Sequence, residues 1–290
     1  MNRFLLNVTL FSVGLVACFA AMCSINAVTS TLNAPRVRSE LLIAGDSHAQ
    51  QALNPIYFES AQNVAQSAEP LYVTYWKLKQ LLPRSSAETV LLSFSYLTLS
   101  PIREWALSDE RWSSMMFSRV YAIAEINSVH GIEVDRSEFF RAKFKNMCLL
   151  PKWRHDSYMG EGYFNFDRSL LTTVDEDIAR HFFLDDESLP VSSVQAAYLD
   201  SIVALTRREH IELILVATPI HSSYYDRIPD QFITGFEDKK REMIARGIQV
   251  LDYSQLDVID EEFLNVTHLN EHGAERFSRL LNERIARSED

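Results

Sequence analysis

The chain predicts an α/β fold: a parallel sheet covered by helices on both faces. Three observations carry that expectation. Short apolar runs alternate with amphipathic helical stretches, as parallel strands and their crossover helices do. One such run, Leu41-Leu42-Ile43-Ala44, passes straight into Gly45-Asp46-Ser47 and then helical sequence. Far along the chain, His268-Leu269-Asn270 sits just ahead of a capped amphipathic helix.

Taken in order, Glu40 to Ala44 reads as a buried strand, followed by helix through about Ala52. Ala61 to Ala65 is a short second strand. Leu71, Tyr75, Leu78 and Leu82 recur at helical spacing, and Pro83 stops that helix. Thr89 to Phe94 is a strongly apolar third strand. Val191 to Thr206 reads as a helix feeding the strand Ile211 to Ala217, which Pro219 ends. Phe232 to Ala245 is helical, Gly247 terminates it, and Ile248 to Leu251 is the fifth strand. The last helix takes Asn270 as its cap and buries Ala274, Phe277, Leu281 and Ile285 on one face. Between residues 100 and 189 the alternation lapses into an aromatic-rich, mostly helical insertion.

The 290 residues are 47% hydrophobic and 23% charged, an ordinary globular composition. A net charge of -11 with no basic run argues against nucleic acid, whose binding rests on Lys and Arg neutralising phosphates. Phe4 to Ala27 is nearly free of charge and long enough to cross a bilayer. We read residues 1–30 as a signal anchor or signal peptide, 31–39 as a linker and 40–290 as the α/β domain. Leu15-Val16-Ala17-Cys18 is a lipoprotein-like alternative for processing. The preferred expectation is a membrane-anchored domain facing the periplasm or cell surface. With Cys18 and Cys23 in the leader, Cys148 stands alone in the domain, so no intradomain disulfide is expected. No histidine or carboxylate cluster has metal-site spacing, and neither metal nor cofactor is expected.

In a parallel sheet, reactive groups gather at the carboxyl ends of the strands. Ser47, Ser67, Ser95 and Asp252 follow or end strands there, and so does His221. Serine needs a neighbouring base, histidine suits that task, and a third group should hold the ring. Ser47 is therefore the candidate nucleophile and His268 the candidate base. Asn265 is the candidate orienter, with Asp252 as a substitute. Asp46 is expected to brace the turn, and His48 to serve the start of the helix. The Ser47 backbone N–H, at a helix start, is an expected donor to an oxyanion.

Gly45-Asp46-Ser47, together with Asn265-Val266-Thr267-His268-Leu269-Asn270 and Gly273-Ala274, resembles the GDSL/SGNH hydrolase family. The resemblance spans most of residues 40 to 288 and implies a flavodoxin-like three-layer sandwich with ester chemistry. That chemistry includes adding or removing acetyl groups on cell-surface polysaccharides. The family's terminal block has Asp three residues before the histidine, where this chain has Asn265. Its oxyanion Asn after strand three is replaced by Ser93-Phe94-Ser95-Tyr96, and its second-block Gly has no clear counterpart. Ser67, Asn63, Ser95 and His221 are the candidates for oxyanion or substrate contacts. Two functions follow from the resemblance. One is a serine esterase or acyltransferase acting on an acylated glycan. The other is a non-catalytic relative that binds polysaccharide or scaffolds partners in its synthesis.

Overall fold

The computed structural model describes residues 2–123, 131–169 and 173–287. In chain order come α1 (Asn2–Leu32), β1 (Leu41–Ala44), α2 (Ser47–Ala52), β2 (Ala61–Asn63), α3 (Leu71–Leu81) and β3 (Thr89–Ser93). Then follow α4 (Ser113–Val120), α5 (Arg136–Met147), α6 (Val174–Phe182) and a small ribbon of β4 (Phe183–Leu184) and β5 (Glu187–Ser188). The α/β alternation resumes with α7 (Ser193–Arg208), β6 (Glu212–Ala217), α8 (Ser222–Tyr225), α9 (Asp230–Ala245) and β7 (Gln249–Asp252). Beyond them lie a hairpin of β8 (Phe263–Asn265) and β9 (His268–Leu269), and then α10 (Glu271–Ala286).

Five strands form one parallel sheet in the order β2-β1-β3-β6-β7. That is the flavodoxin-like order, whose crevice opens where the winding reverses, between β1 and β3. The central strands β1, β3 and β6 are buried on both faces, which is why they read as continuous apolar runs, while the edge strands β2 and β7 are part-exposed. Side-chain alternation divides the core. Leu42, Ala44, Val90, Leu92, Leu213 and Leu215 face the layer that includes Leu78, Leu199, Ile202 and Phe236. Leu41, Ile43, Leu91, Ile214 and Val216 face Ala49, Ala274, Phe277 and Leu281 of α2 and α10. The serine and histidine helices thus share one face of the sheet.

Residues 100–189 hold α4, α5, α6 and several single turns, while 124–130 and 170–172 fall outside the described residues. Phe117, Phe139 and Phe182 from this stretch join the core on the α7 side of the sheet. Phe140, Phe144 and Trp153 do not; they are exposed.

The cysteine expectation is corrected here. Cys148, just past α5, is disulfide-bonded to Cys23 of α1, and Cys18 alone is free. The sequence reading separated leader from domain, but α1 runs on to Leu32 and its last turns pack against the domain. Asn26 is fully buried; its Nδ2 donates to the Met147 and Leu150 carbonyls, and its Oδ1 accepts from Lys152 N–H.

Lys77 and Glu69 form an ion pair sealed in the core, with Nζ 2.5 Å from Oε2. Burial pushes the Glu69 carboxyl up and the Lys77 amine down, and each partner's charge opposes the shift of the other. Nζ also donates to Val64 O at 2.6 Å, and Thr74 Oγ1 donates to Glu69 Oε1 at 2.7 Å. Lys77→Met should cost about 3–5 kcal/mol in urea unfolding, because it strands a buried carboxylate. The double variant Lys77→Met, Glu69→Leu should recover most of that loss.

Candidate active site

Gly45 makes the first turn possible. Its φ is +117°, a left-handed conformation that disfavours side chains, and a Cβ there would lie 2.1 Å from Ser93 Oγ. The close approach lets Ser93, at the end of β3, bind the turn: its Oγ accepts from Asp46 N–H at 3.1 Å and donates to Asp46 Oδ1 at 3.0 Å. Asp46 then caps α2, accepting from the His48 backbone N–H at 3.1 Å. Ser47 is the first helical residue, held over the crevice between β1 and β3.

The histidine arrives on the β8–β9 hairpin, where Asn265 pairs with His268. Asn265 Oδ1 accepts from Thr267 N–H at 3.0 Å, closing a local turn that aims the next side chain. Asn270 caps α10, accepting from Gly273 N–H at 3.1 Å. Gly273 is needed because a Cβ there would meet the Glu262 carbonyl at 2.4 Å. Ser278 of α10 donates to the Ala52 carbonyl at the end of α2, at 3.0 Å, and so ties the two helices together.

These two supports bring Ser47 Oγ within 2.8 Å of His268 Nε2. The other ring nitrogen, Nδ1, lies 3.0 Å from Asn265 Oδ1 and 2.9 Å from Thr267 Oγ1. Ser47, His268 and Asn265, the candidate nucleophile, base and orienter, are thereby joined in one hydrogen-bonded row. Asp252 stands elsewhere, bonded to Lys240 and Ser254.

Three neighbours were given no part beside His268 by the sequence. His48 stacks on His268 with ring centroids 4.9 Å apart, while its Nδ1 lies 3.2 Å from Asp46 Oδ1. Arg103 reaches Asp46 Oδ2 at 3.4 Å, and its Nε is buried with no hydrogen-bond partner among the described residues. Thr267 braces His268 directly. The sequence reads His48 only as part of the helix start, where it also stands. Arg103, in an irregular segment, carried no signal.

Electrostatics follow from the packing. Burial alone would raise the Asp46 carboxyl, but His48, Arg103 and Ser93 together hold it well below the usual carboxylate range. Burial lowers His268 to about 3, assisted by the positive potential of His48, Arg103 and Arg180 and opposed by Asp46. His181 is likewise pushed well down, first by burial and then by Arg103 and Arg180. The imidazole facing Ser47 is therefore neutral at physiological pH, and its surroundings oppose protonation.

The other candidates are engaged in holding the frame. Asn63 Nδ2 donates to the Ala49 and Leu53 carbonyls at 3.0 and 2.9 Å, bracing the end of α2. Ser67 donates through N–H and Oγ to Gln50 Oε1, at 2.8 and 2.9 Å. Ser95 Oγ lies 3.2 Å from Thr98 Oγ1. His221 caps α8 and meets Asp260 at 3.1 Å. A small cavity lies beside the turn, lined by Gly45, Asp46, Glu69, Pro70, Leu71, Ser93, Thr98 and Arg103; neither Ser47 nor His268 lines it.

No family model matches the chain, and no curated protein is similar to it in sequence. Among solved structures it is similar to a GDSL-like lipase from Bacteroides thetaiotaomicron, at 10% identity and a TM-score of 0.43, covering 93% of this chain and 99% of that one. It is also similar to a lipase/acylhydrolase from Enterococcus faecalis, at 12% identity and a TM-score of 0.41, covering 85% and 95%. Both likenesses are distant.

Asn265→Asp places a carboxylate against Nδ1 and should raise the His268 pKa from about 3. Histidine NMR titration should show that rise. In wild type, the native ring stays unprotonated between the unfolded value of about 6.5 and the folded value, so stability should fall as pH drops through that window. In the variant the window narrows and the acid loss of stability shrinks. A titration unchanged by the substitution would mean that Asn265 does not face the ring in solution.

Proposed function

We propose that this chain is a serine ester hydrolase or acyltransferase of the GDSL/SGNH type. The observation that carries the reading is the Ser47–His268–Asn265 relay, with Ser47 Oγ 2.8 Å from His268 Nε2. Ser47 attacks the acyl carbon of an ester while His268 takes its proton. The tetrahedral intermediate collapses as His268 returns that proton to the leaving alcohol. Water then releases the acyl group in hydrolysis, or a second alcohol takes it in transfer. The Ser47 backbone N–H at the start of α2 is the proposed oxyanion donor. Asn265 orients the ring through its amide oxygen and adds no charge.

We place the domain outside the cytoplasm and the N-terminal helix in the membrane. α1 is long and apolar enough to cross a bilayer, and a disulfide to Cys23 suits an oxidising compartment. The proposed substrates are O-acetyl groups of a cell-surface polysaccharide. That choice comes from the sequence resemblance and the anchored location.

A second reading has its own support. Asn63, Ser67 and Ser95, the candidate side-chain donors to an oxyanion, are each engaged with neighbouring groups. A non-catalytic relative that binds polysaccharide, or scaffolds its synthesis machinery, is consistent with that. A fluorophosphonate probe separates the two. Wild type should be labelled on Ser47, and Ser47→Ala should be unlabelled, with hydrolysis of a short acyl ester reduced by about 10³-fold or more and Tm nearly unchanged. Absence of labelling in folded wild type would favour the binding protein.

A further inference from the structure

The outer end of α1 is fastened to α5 and to the loop that follows it. Phe19 meets Phe144 with ring centroids 5.2 Å apart, and Cys23 is bonded to Cys148. Asn26 is held by the backbone of Met147, Leu150 and Lys152. Thr29 Oγ1 donates to Lys152 O at 3.0 Å, and Asn33 Nδ2 to Trp153 O at 2.9 Å. A helix joined to its domain along this length has a fixed position relative to it.

That geometry sets how close the domain comes to the lipid. A bilayer core of about 30 Å takes about 20 helical residues at about 1.5 Å each. Counted from Phe4, just after Arg3, the hydrocarbon segment ends near Cys23. Phe144 touches α1 at Phe19, about one turn before that point. Beside it, on α5 and in the turn after it, Phe140 is 64% exposed and Leu150 70%, with Phe144 and Leu149 also exposed. Scattered exposed apolar residues are ordinary; these four follow α5 into the turn beside the exit of the apolar helix. Trp153, whose carbonyl is bound by Asn33, lies about 15 Å further out along α1.

Charge supports the same surface. In a chain of net charge -11, α5 itself carries four basic residues (Arg136, Arg141, Lys143 and Lys145) against the single acid Glu138, which pairs with Arg141. Basic groups interleaved with exposed aromatics are what an anionic lipid interface attracts.

We propose that α5 and the Cys148–Leu150 turn rest on the bilayer surface around the exit of α1. Their apolar side chains enter the interface and their basic groups face anionic phospholipid headgroups. The Cys23–Cys148 bond holds the domain in this seat, which fixes the height and tilt of the Ser47 crevice above the membrane. The proposal rests on α1 being a retained membrane span.

The test uses the full chain reconstituted into phosphatidylcholine–phosphatidylglycerol vesicles, with and without bromine on the acyl chains. Carbonate extraction first establishes whether α1 spans the bilayer. Release of the chain would overturn that reading, and the seating with it. α1 contains no tryptophan, so quenching by brominated lipid reports on the domain. In Phe140→Trp, an exposed site on α5 where folding is not at stake, emission should be quenched by brominated lipid well beyond that of wild type. An embedded chain in which Phe140→Trp is quenched no more than wild type would overturn the seating while leaving the anchor in place.

Discussion

The candidate site depends on one buried carboxylate. Asp46 caps α2, binds Ser93 across the crevice, and draws in His48 and Arg103. A carboxylate this deep survives only with several partners, and these hold it ionised. Each partner is thereby located by Asp46. Ser47 is set by the capped turn, His48 is pinned beneath His268, and Arg103 is brought against the turn from the insertion. Gly45 is the steric condition for all of it, since any side chain there would displace Ser93.

Much of this was legible in the sequence because its causes are local. The three central strands are apolar runs with turn residues after them, and Asn270 announced the last helix by its capping role. The parallel order followed from the alternation of elements. The spacing between Asn265 and His268 was visible, but the β8–β9 hairpin that joins them was too short to carry a periodic signal. Arg103 and the Cys23–Cys148 pairing were not legible, since both depend on where the insertion lies in three dimensions. Trp153 and Phe139 look alike in sequence, yet one is exposed and the other is in the core.

The insertion also links the two ends of the functional reading. Arg103 at its start touches the turn that carries Ser47, and Cys148 within it is bonded to the apolar helix. Phe117 and Phe139, between them, pack edge to face at 5.6 Å and join α4 and α5 to the main core. Movement of α1 relative to the domain therefore meets a close-packed layer, which transmits strain and does not absorb it. On the proposed seating, a crevice held this way would keep a fixed orientation to the membrane surface.

The charge balance around His268 bears on how an amide could stand where a carboxylate would be expected. On the proposed mechanism, proton transfer from Ser47 makes an imidazolium in a site where burial, His48, Arg103 and Arg180 all oppose positive charge. Asp46 is the one group that favours it, and its own charge is already shared among His48, Arg103 and Ser93. The remaining compensation must come from the reaction itself. The tetrahedral oxyanion forms in the same step, a few ångströms from the ring, and in a low-dielectric site that attraction is strong. Asn265 fits this arrangement because it orients Nδ1 without stabilising the imidazolium before substrate is present. The resting ring stays neutral, and positive charge appears on it only together with its counterion.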